Sequence, residues 1–301
     1  MHVAGRAART ILLVKQFLSP GIRAMILSAL AFSVMSALVK LAGERLSSVQ
    51  ITMVRGIVTL ALSWWAVKRA GISPWGNDRK WLVMRGLLGF VGLHCYYFAV
   101  TRLPLADATV IQLTNPLMVA VAAAIFLHEP LRRSDLAGIA LGLGGVVLVS
   151  RPTFLFGGDE RALDPVALAV AVLGAIVAAS VYVVVRKLRA TEHPLVVVLQ
   201  FPMLTVPLTL PLVIPVWQWP TPFEWLVLLG VGVFTQIGQV KMTEALHLEP
   251  AARATAVSYV QILFAVIFGV VLFRETPTAW TLAGATSIAI GTAIVARPRA
   301  T

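Results

Sequence analysis

Residues 99–152 of this chain occur twice. The first copy reads AVTRLPLADATVIQLTNPLMVAVAAAIFLHEPLRRSDLAGIALGLGGVVLVSRP. The second, ALHLEPAARATAVSYVQILFAVIFGVVLFRETPTAWTLAGATSIAIGTAIVARP, occupies 245–298, displaced by about 146 positions without a gap. About 13 of about 54 positions are identical. They include Pro104/Pro250, Ala108/Ala254, Thr109/Thr255, Glu129/Glu275, the Leu-Ala-Gly at 136–138 and 282–284, Gly145/Gly291, and Arg151-Pro152/Arg297-Pro298. Apolar helices share Ala, Leu and Gly by chance, but paired Pro, Glu and Arg-Pro at one fixed offset mark an internal duplication.

The solvent of this duplicated unit follows from composition. Of 301 residues, 58% are hydrophobic and only 13% charged, against about 25% charged in soluble domains. A soluble core of this size cannot hide so much apolar surface, so the chain is read as all-α and embedded in lipid. A spanning helix takes ~20 residues. Ten spans fit: 22–42, 48–67, 81–101, 105–127, 135–150, 165–185, 194–216, 223–242, 252–273 and 277–296. They leave no room for a separate soluble domain. The basic residues 1–20 read as a cytoplasmic or interfacial segment, 21–151 as the first five-helix repeat, 152–164 as a periplasmic linker, and 165–297 as the second repeat. The first apolar stretch is of full span length with no small-residue cleavage site after it, so no cleavable signal peptide is expected.

The net charge of +12 does not point to nucleic acid, because Lys and Arg are scattered over short loops rather than gathered on one face. It sets topology instead. With the N-terminus inside, about seventeen Lys and Arg fall in inner segments and about five in outer loops, which places both termini in the cytoplasm. Trp64, Trp65, Trp75 and Trp81 then mark the inner boundary, and Trp217, Trp219 and Trp225 the outer one. Five spans per copy is an odd number, so the second copy runs upside down relative to the first. Inverted repeats give a pseudo-two-fold axis in the membrane plane and a site at their interface near the midplane.

The run from Ala99 through "P-x3-A-T", "NPL" and "E-P-L" to "L-A-G-x3-G-x-G-G", echoed by "Y…ILFAVIFGVVLFRET…LAG", resembles the EamA-type domain of the drug/metabolite transporter superfamily. Within it the overall character is most similar to YddG-type amino-acid exporters of the bacterial inner membrane. The resemblance implies ten helices, both termini inside, and a central cavity lined by spans 1, 3, 4, 6, 8 and 9. Arg55 lies where that family commonly has an arginine.

The candidate chemistry begins with an absence. All thirteen Asp and Glu fall in loops or at helix ends, whereas pumps for protons or organic cations keep an intramembrane carboxylate. There is also no G-x4-G-K-[ST] for ATP. The single cysteine, Cys95, excludes an intrachain disulfide, and no cofactor or metal is called for. Of the intramembrane cations Lys40, Arg55 and Arg85, burial of which costs ~2.5–3.5 kcal/mol on insertion scales, Arg85 and Lys40 with its repeat partner Arg186 are expected to snorkel. Arg55 is deeper, and serves either as a clamp on helix-end carbonyls or as a contact to a substrate carboxylate, roles for which Lys40 is also a candidate.

Uncharged polar residues make the better substrate site: Gln112 and Asn115, one face of span 4; their repeat equivalents Ser258 and Gln261; and His94, Tyr97, Ser180, Tyr182, Gln236, Gln239 and Tyr259. Pro116 frees a carbonyl and is the expected hinge. His94 lacks an acidic partner in its helix, and a proton-relay role is a secondary reading. Such a lining suits a neutral or zwitterionic solute. The expectation is a secondary transporter exporting neutral or aromatic amino acids or similar metabolites by alternating access, one chain sufficing for the fold, with the solute and the bilayer as its partners. A broader drug or metabolite exporter, an intramembrane enzyme and a non-transporting scaffold are the alternatives. The enzyme is disfavoured because His94 and Cys95, adjacent in sequence, project about 100° apart on a helix with no carboxylate to join them.

Overall fold

The computed structural model describes residues 18–103, 105–157, 164–274 and 276–297, and the expected N-terminal interfacial segment lies outside them apart from its last three residues. Among the described residues all regular structure is helical. The helices are α1 (Pro20–Ala42), α2 (Ser48–Arg69), α3 (Arg79–Arg102), α4 (Leu105–Gln112), α5 (Asn115–Phe126), α6 (Arg133–Ser150), the short α7 (Thr153–Phe156), α8 (Pro165–Leu188), α9 (Pro194–Val213), α10 (Pro222–Leu248), α11 (Ala251–Ser258), α12 (Val260–Phe273) and α13 (Ala279–Ala296). Spans 4 and 9 are thus each two helices, α4–α5 and α11–α12. Among the described residues nine units are long and apolar enough to cross a membrane. The tenth, α3, is 24 residues long and is made less apolar by Arg79, Lys80, Arg85 and Arg102.

Helix starts follow local chemistry. Ser19, Ser47 and Thr278 accept hydrogen bonds from first-turn amides of α1, α2 and α13. Thr221 and Glu224 form a reciprocal capping box at α10, satisfying two otherwise orphaned donors. Pro202, Pro207 and Pro211 sit inside α9, which continues through them to Val213.

The packing obeys an exchange of the two copies. Span 1 packs on span 8 as span 6 packs on span 3; span 2 packs on span 8 as span 7 packs on span 3; spans 2 and 7, and spans 5 and 10, pack on their own counterparts. At the last pair the geometry is explicit. A Cβ added to Gly138 would lie 3.1 Å from the Gly291 carbonyl oxygen, and one added to Gly145 would lie 2.5 Å from that of Gly284. These are the same contact exchanged between copies: Gly284 and Gly291 are the repeat equivalents of Gly138 and Gly145. Advancing along α6 while retreating along α13 makes the helices antiparallel, so the two five-helix repeats are inverted. Small residues permit this close approach, the usual route to helix packing where lipid supplies no hydrophobic drive.

Both ends of the described chain meet at one end of the bundle, called here the terminal end. Ser19 Oγ donates to Glu249, Glu249 pairs with Arg253, and Arg253 donates to the carbonyls of Val295 and Arg297.

Candidate functional site

Both half-bundles break a helix at equivalent positions. In span 4 the break is Leu113–Thr114. Pro116 has no N–H to offer the Gln112 carbonyl. Leu117 N–H instead donates to Thr114 O at 3.0 Å, and Thr114 Oγ1 donates to Ile111 O at 2.6 Å. The Leu113 carbonyl accepts from the Tyr259 hydroxyl at 2.8 Å. Tyr259 is the repeat equivalent of Leu113 and is itself the break of span 9, where Ile262 N–H donates to Tyr259 O and Ser258 Oγ to Thr255 O. Span 9, expected as one helix over 252–273, is thus divided, although neither Pro nor Gly stands at the break. A tertiary contact is made at this residue. The Tyr259 ring, 1% exposed, occupies the space that a side chain at Gly142 would need, and its hydroxyl fastens one broken helix to the other. Tyr259→Phe is expected to cost about 1 kcal/mol, the worth of one hydrogen bond, seen as a few degrees of melting temperature in detergent.

Irregular backbone at this depth is tolerated only against protein or a wet cavity, and a cavity is present. One chamber, of about 360 Å³, is walled by Ser28, Gln112, Asn115, Thr255, Ser258 and Gln261 among apolar residues that include Met25 and Pro116. A second, of about 260 Å³, contains Arg55, Arg85, Phe201 and Gln239. They share Phe32, Tyr96, Gln112, Tyr182 and Met242 as common walls. Spans 1, 3, 4, 6, 8 and 9 line the cavity, and Arg55 and Phe201 add spans 2 and 7. No Asp or Glu is among these lining residues.

Of the residues expected at the site, Gln112, Asn115, Ser258, Gln261, Tyr182, Gln239 and Pro116 line the cavity, as does Arg55. Pro116 stands in the first turn of a separate helix rather than at a bend in a continuous one. Others are elsewhere. Gln236 is buried and accepts a hydrogen bond from Ser63 Oγ at 2.9 Å, tying α10 to α2. Ser180 donates to Ile176 O within its own helix. His94 Nδ1 bonds the Phe90 carbonyl at 2.9 Å, with its ring 4.0 Å from that of Phe90. Tyr259 is the brace already described. The Tyr97 side chain lies outside the described ones. Lys40 lines a separate small cleft with Ser33, Ser36, Ala37, Ala265, Phe268 and Gly269.

Two cations expected to snorkel do not. Arg85 is 2% exposed; its Nη2 donates to Gln239 Oε1 at 3.1 Å and its guanidinium stacks 5.0 Å from the Phe201 ring centre. Its distance from the helix start suggested an interface, but its direction is inward. Arg186 is also buried. It pairs with Glu129 at 2.6 Å and donates to the carbonyls of Leu246 and His247, while Glu129 accepts from Ala251 N–H, the first amide of α11. With the Ser19–Glu249–Arg253 chain this ties spans 1, 6, 8, 9 and 10 and the loop after span 4 together at the terminal end. At the other end the cavity adjoins, through Thr109, Leu113, Ile262 and Ala265, a cleft of about 380 Å³ that reaches Ser150, Thr276 and Thr281. Among the described residues no group of His, Cys, Asp and Glu is placed to hold a metal.

A model of the EamA-like transporter family matches residues 19–151 and 165–297, one match for each half of the bundle. The chain belongs to the EamA-like transporter family. It is 30% identical to the probable transport protein YPL264C of Saccharomyces cerevisiae over 85% of this chain and 80% of that one. It is 29% identical to the pseudopaline exporter CntI of Pseudomonas aeruginosa PAO1 over 95% and 99%. It is also 29% identical to human solute carrier family 35 member G1 over 86% and 74%. A solved crystal structure superposes with a TM-score of 0.78 at 20% identity, covering 91% of this chain and 95% of that one. As an EamA-family chain it is a multi-pass membrane protein of a transporter family, and small-molecule solutes and the bilayer are its natural partners.

Proposed function

We propose that this chain is a secondary transporter of the bacterial inner membrane, with both termini in the cytoplasm. It exports neutral or aromatic amino acids, or similar small metabolites, by alternating access. The observation that carries the reading is the pair of helix breaks at repeat-equivalent positions, each flanked by residues that line one cavity of amides, hydroxyls and aromatics. Discontinuous helices at the interface of inverted repeats are where transporters place their solutes. With the terminal end tied together, the conformation reads as closed to the cytoplasm and ready to release outward. A wider metabolite range is the second reading, favoured by the similarity to a pseudopaline exporter.

The test is purified protein in liposomes, with counter-flow of labelled amino acids. Saturable, ATP-independent exchange supports the proposal. Exchange of organic cations but not of amino acids supports a drug exporter instead. Absence of any flux, together with turnover in detergent, supports an enzyme.

A further inference from the structure

Arg55 and Arg85 enter the same chamber from different helices, and their surroundings are unusual. Among the described residues neither guanidinium has a carboxylate partner. Arg85 has one hydrogen bond, to Gln239, and a ring face, Phe201; its Nε is buried and has no partner at all. Arg55 has no side-chain partner among the described residues, and the clamp on helix-end carbonyls that its depth suggested is not made. Two other arginines about as buried as Arg85 are each answered by a carboxylate: Arg186 by Glu129 and two carbonyls, Arg253 by Glu249 and two carbonyls. Two cations lining one chamber of about 260 Å³, with no acid among its described lining residues, leave a positive potential that a low-dielectric surrounding strengthens. Arginine also presents a planar fork of donors suited to carboxylate.

The two copies do not contribute equally. Phe201 is the repeat equivalent of Arg55, so the pseudo-two-fold that governs the fold is broken in charge at this place. Packing alone would not require that asymmetry. The other chamber, with Gln112, Asn115, Ser258 and Gln261, is polar but uncharged, so the cavity has a cationic end and a neutral end.

From this convergence we propose that Arg85, with Arg55, forms an anion subsite that holds a carboxylate of the solute, and that the preferred solute carries net negative charge. This rests on the reading of the cavity as a transport site and, within the similar small metabolites that reading allows, selects organic acids in place of neutral or zwitterionic amino acids. Gln239 positions Arg85, and the amide chamber takes the uncharged remainder of the solute.

The test reads the charge of the chamber without needing the native solute. Ala178 lines the cationic chamber. In a Cys95→Ala background, Ala178→Cys is modified by methanethiosulfonates of similar size that carry a sulfonate, no charge or a trimethylammonium. The anionic reagent is expected to outpace the cationic one at least tenfold relative to their rates with free cysteine. Arg85→Gln brings that ratio back toward one, Arg85→Lys retains it, and Arg55→Gln lowers it in part. Succinate is expected to slow the uncharged reagent in the parent but not in Arg85→Gln, with tetramethylammonium and inorganic phosphate without effect. A ratio near one in the parent overturns the subsite. So does protection by the cation, protection by phosphate alone, or no protection by succinate. Size-exclusion profiles and the Arg85→Lys variant separate loss of charge from loss of fold. Failure of all solute counter-flow with the charge ratio intact would strike the transport reading and leave the subsite standing.

Discussion

Glu129→Gln is expected to unfasten the terminal end of the molecule and to reduce net transport at least tenfold. The carboxylate does two jobs there, pairing with buried Arg186 and accepting the first amide of α11. Removing one partner of a buried ion pair costs about 3–5 kcal/mol, because the remaining charge is left uncompensated. The lower end of that range applies, since Arg186 keeps the carbonyls of Leu246 and His247. About 3 kcal/mol is roughly a hundredfold in a two-state equilibrium, enough to shift the population away from the closed terminal end. A cysteine introduced at Ala252 reports this: impermeant maleimide applied from the terminal side should react much faster in Glu129→Gln than in the parent. The exchange Glu129→Arg with Arg186→Glu should recover part of the slow reaction. Equal rates in all three would mean the pair fastens nothing. Lys40 and Glu275 stand at the repeat-equivalent positions of Arg186 and Glu129, so Glu275→Gln is expected to bias the equilibrium the opposite way.

Gly145→Leu should be the most damaging single change in the helical frame. Its Cβ would stand 2.5 Å from the Gly284 carbonyl oxygen and 2.6 Å from Ile288 Cγ1. Backbone cannot swing aside as a side-chain tip can, so α6 and α13 must separate. Overpacking typically costs about 1–3 kcal/mol, and a clash with backbone places this one at the upper end. The neighbouring Gly144→Leu is the control, because nothing lies within 4 Å of a Cβ there. Thermal unfolding in detergent should show a large drop for the first and almost none for the second.

Much of this was legible in the sequence because it was written twice. The offset of the duplication, an odd number of spans per copy and the apolar composition lead to inverted halves, and Gly138/Gly291 with Gly145/Gly284 realise that inversion in contact. Gln112 and Asn115 were readable as one face of span 4 because helical spacing fixes direction over a single turn. Direction over longer distances was not readable. Arg85 is near the start of α3, and position along a helix says nothing about which way a long side chain points. Ser180 and Gln236 belong to the expected spans, but Ser180 bonds Ile176 O in its own helix and Gln236 bonds Ser63 of α2, since membership in a lining helix leaves most of its residues off the lining. The break at Tyr259 carries no local Pro or Gly signal, and the partners of its ring and hydroxyl, Gly142 and the Leu113 carbonyl, lie on the other copy.

The central claim is that one cavity is reached in turn from both faces of the membrane. Its most direct test places a single cysteine at Ser258, on the cavity wall, in a Cys95→Ala background, within sealed vesicles of known orientation. Impermeant maleimide should label it from the face opposite the termini in the parent, and from the terminal face in Glu129→Gln. Labelling from one face alone in both proteins would contradict the account.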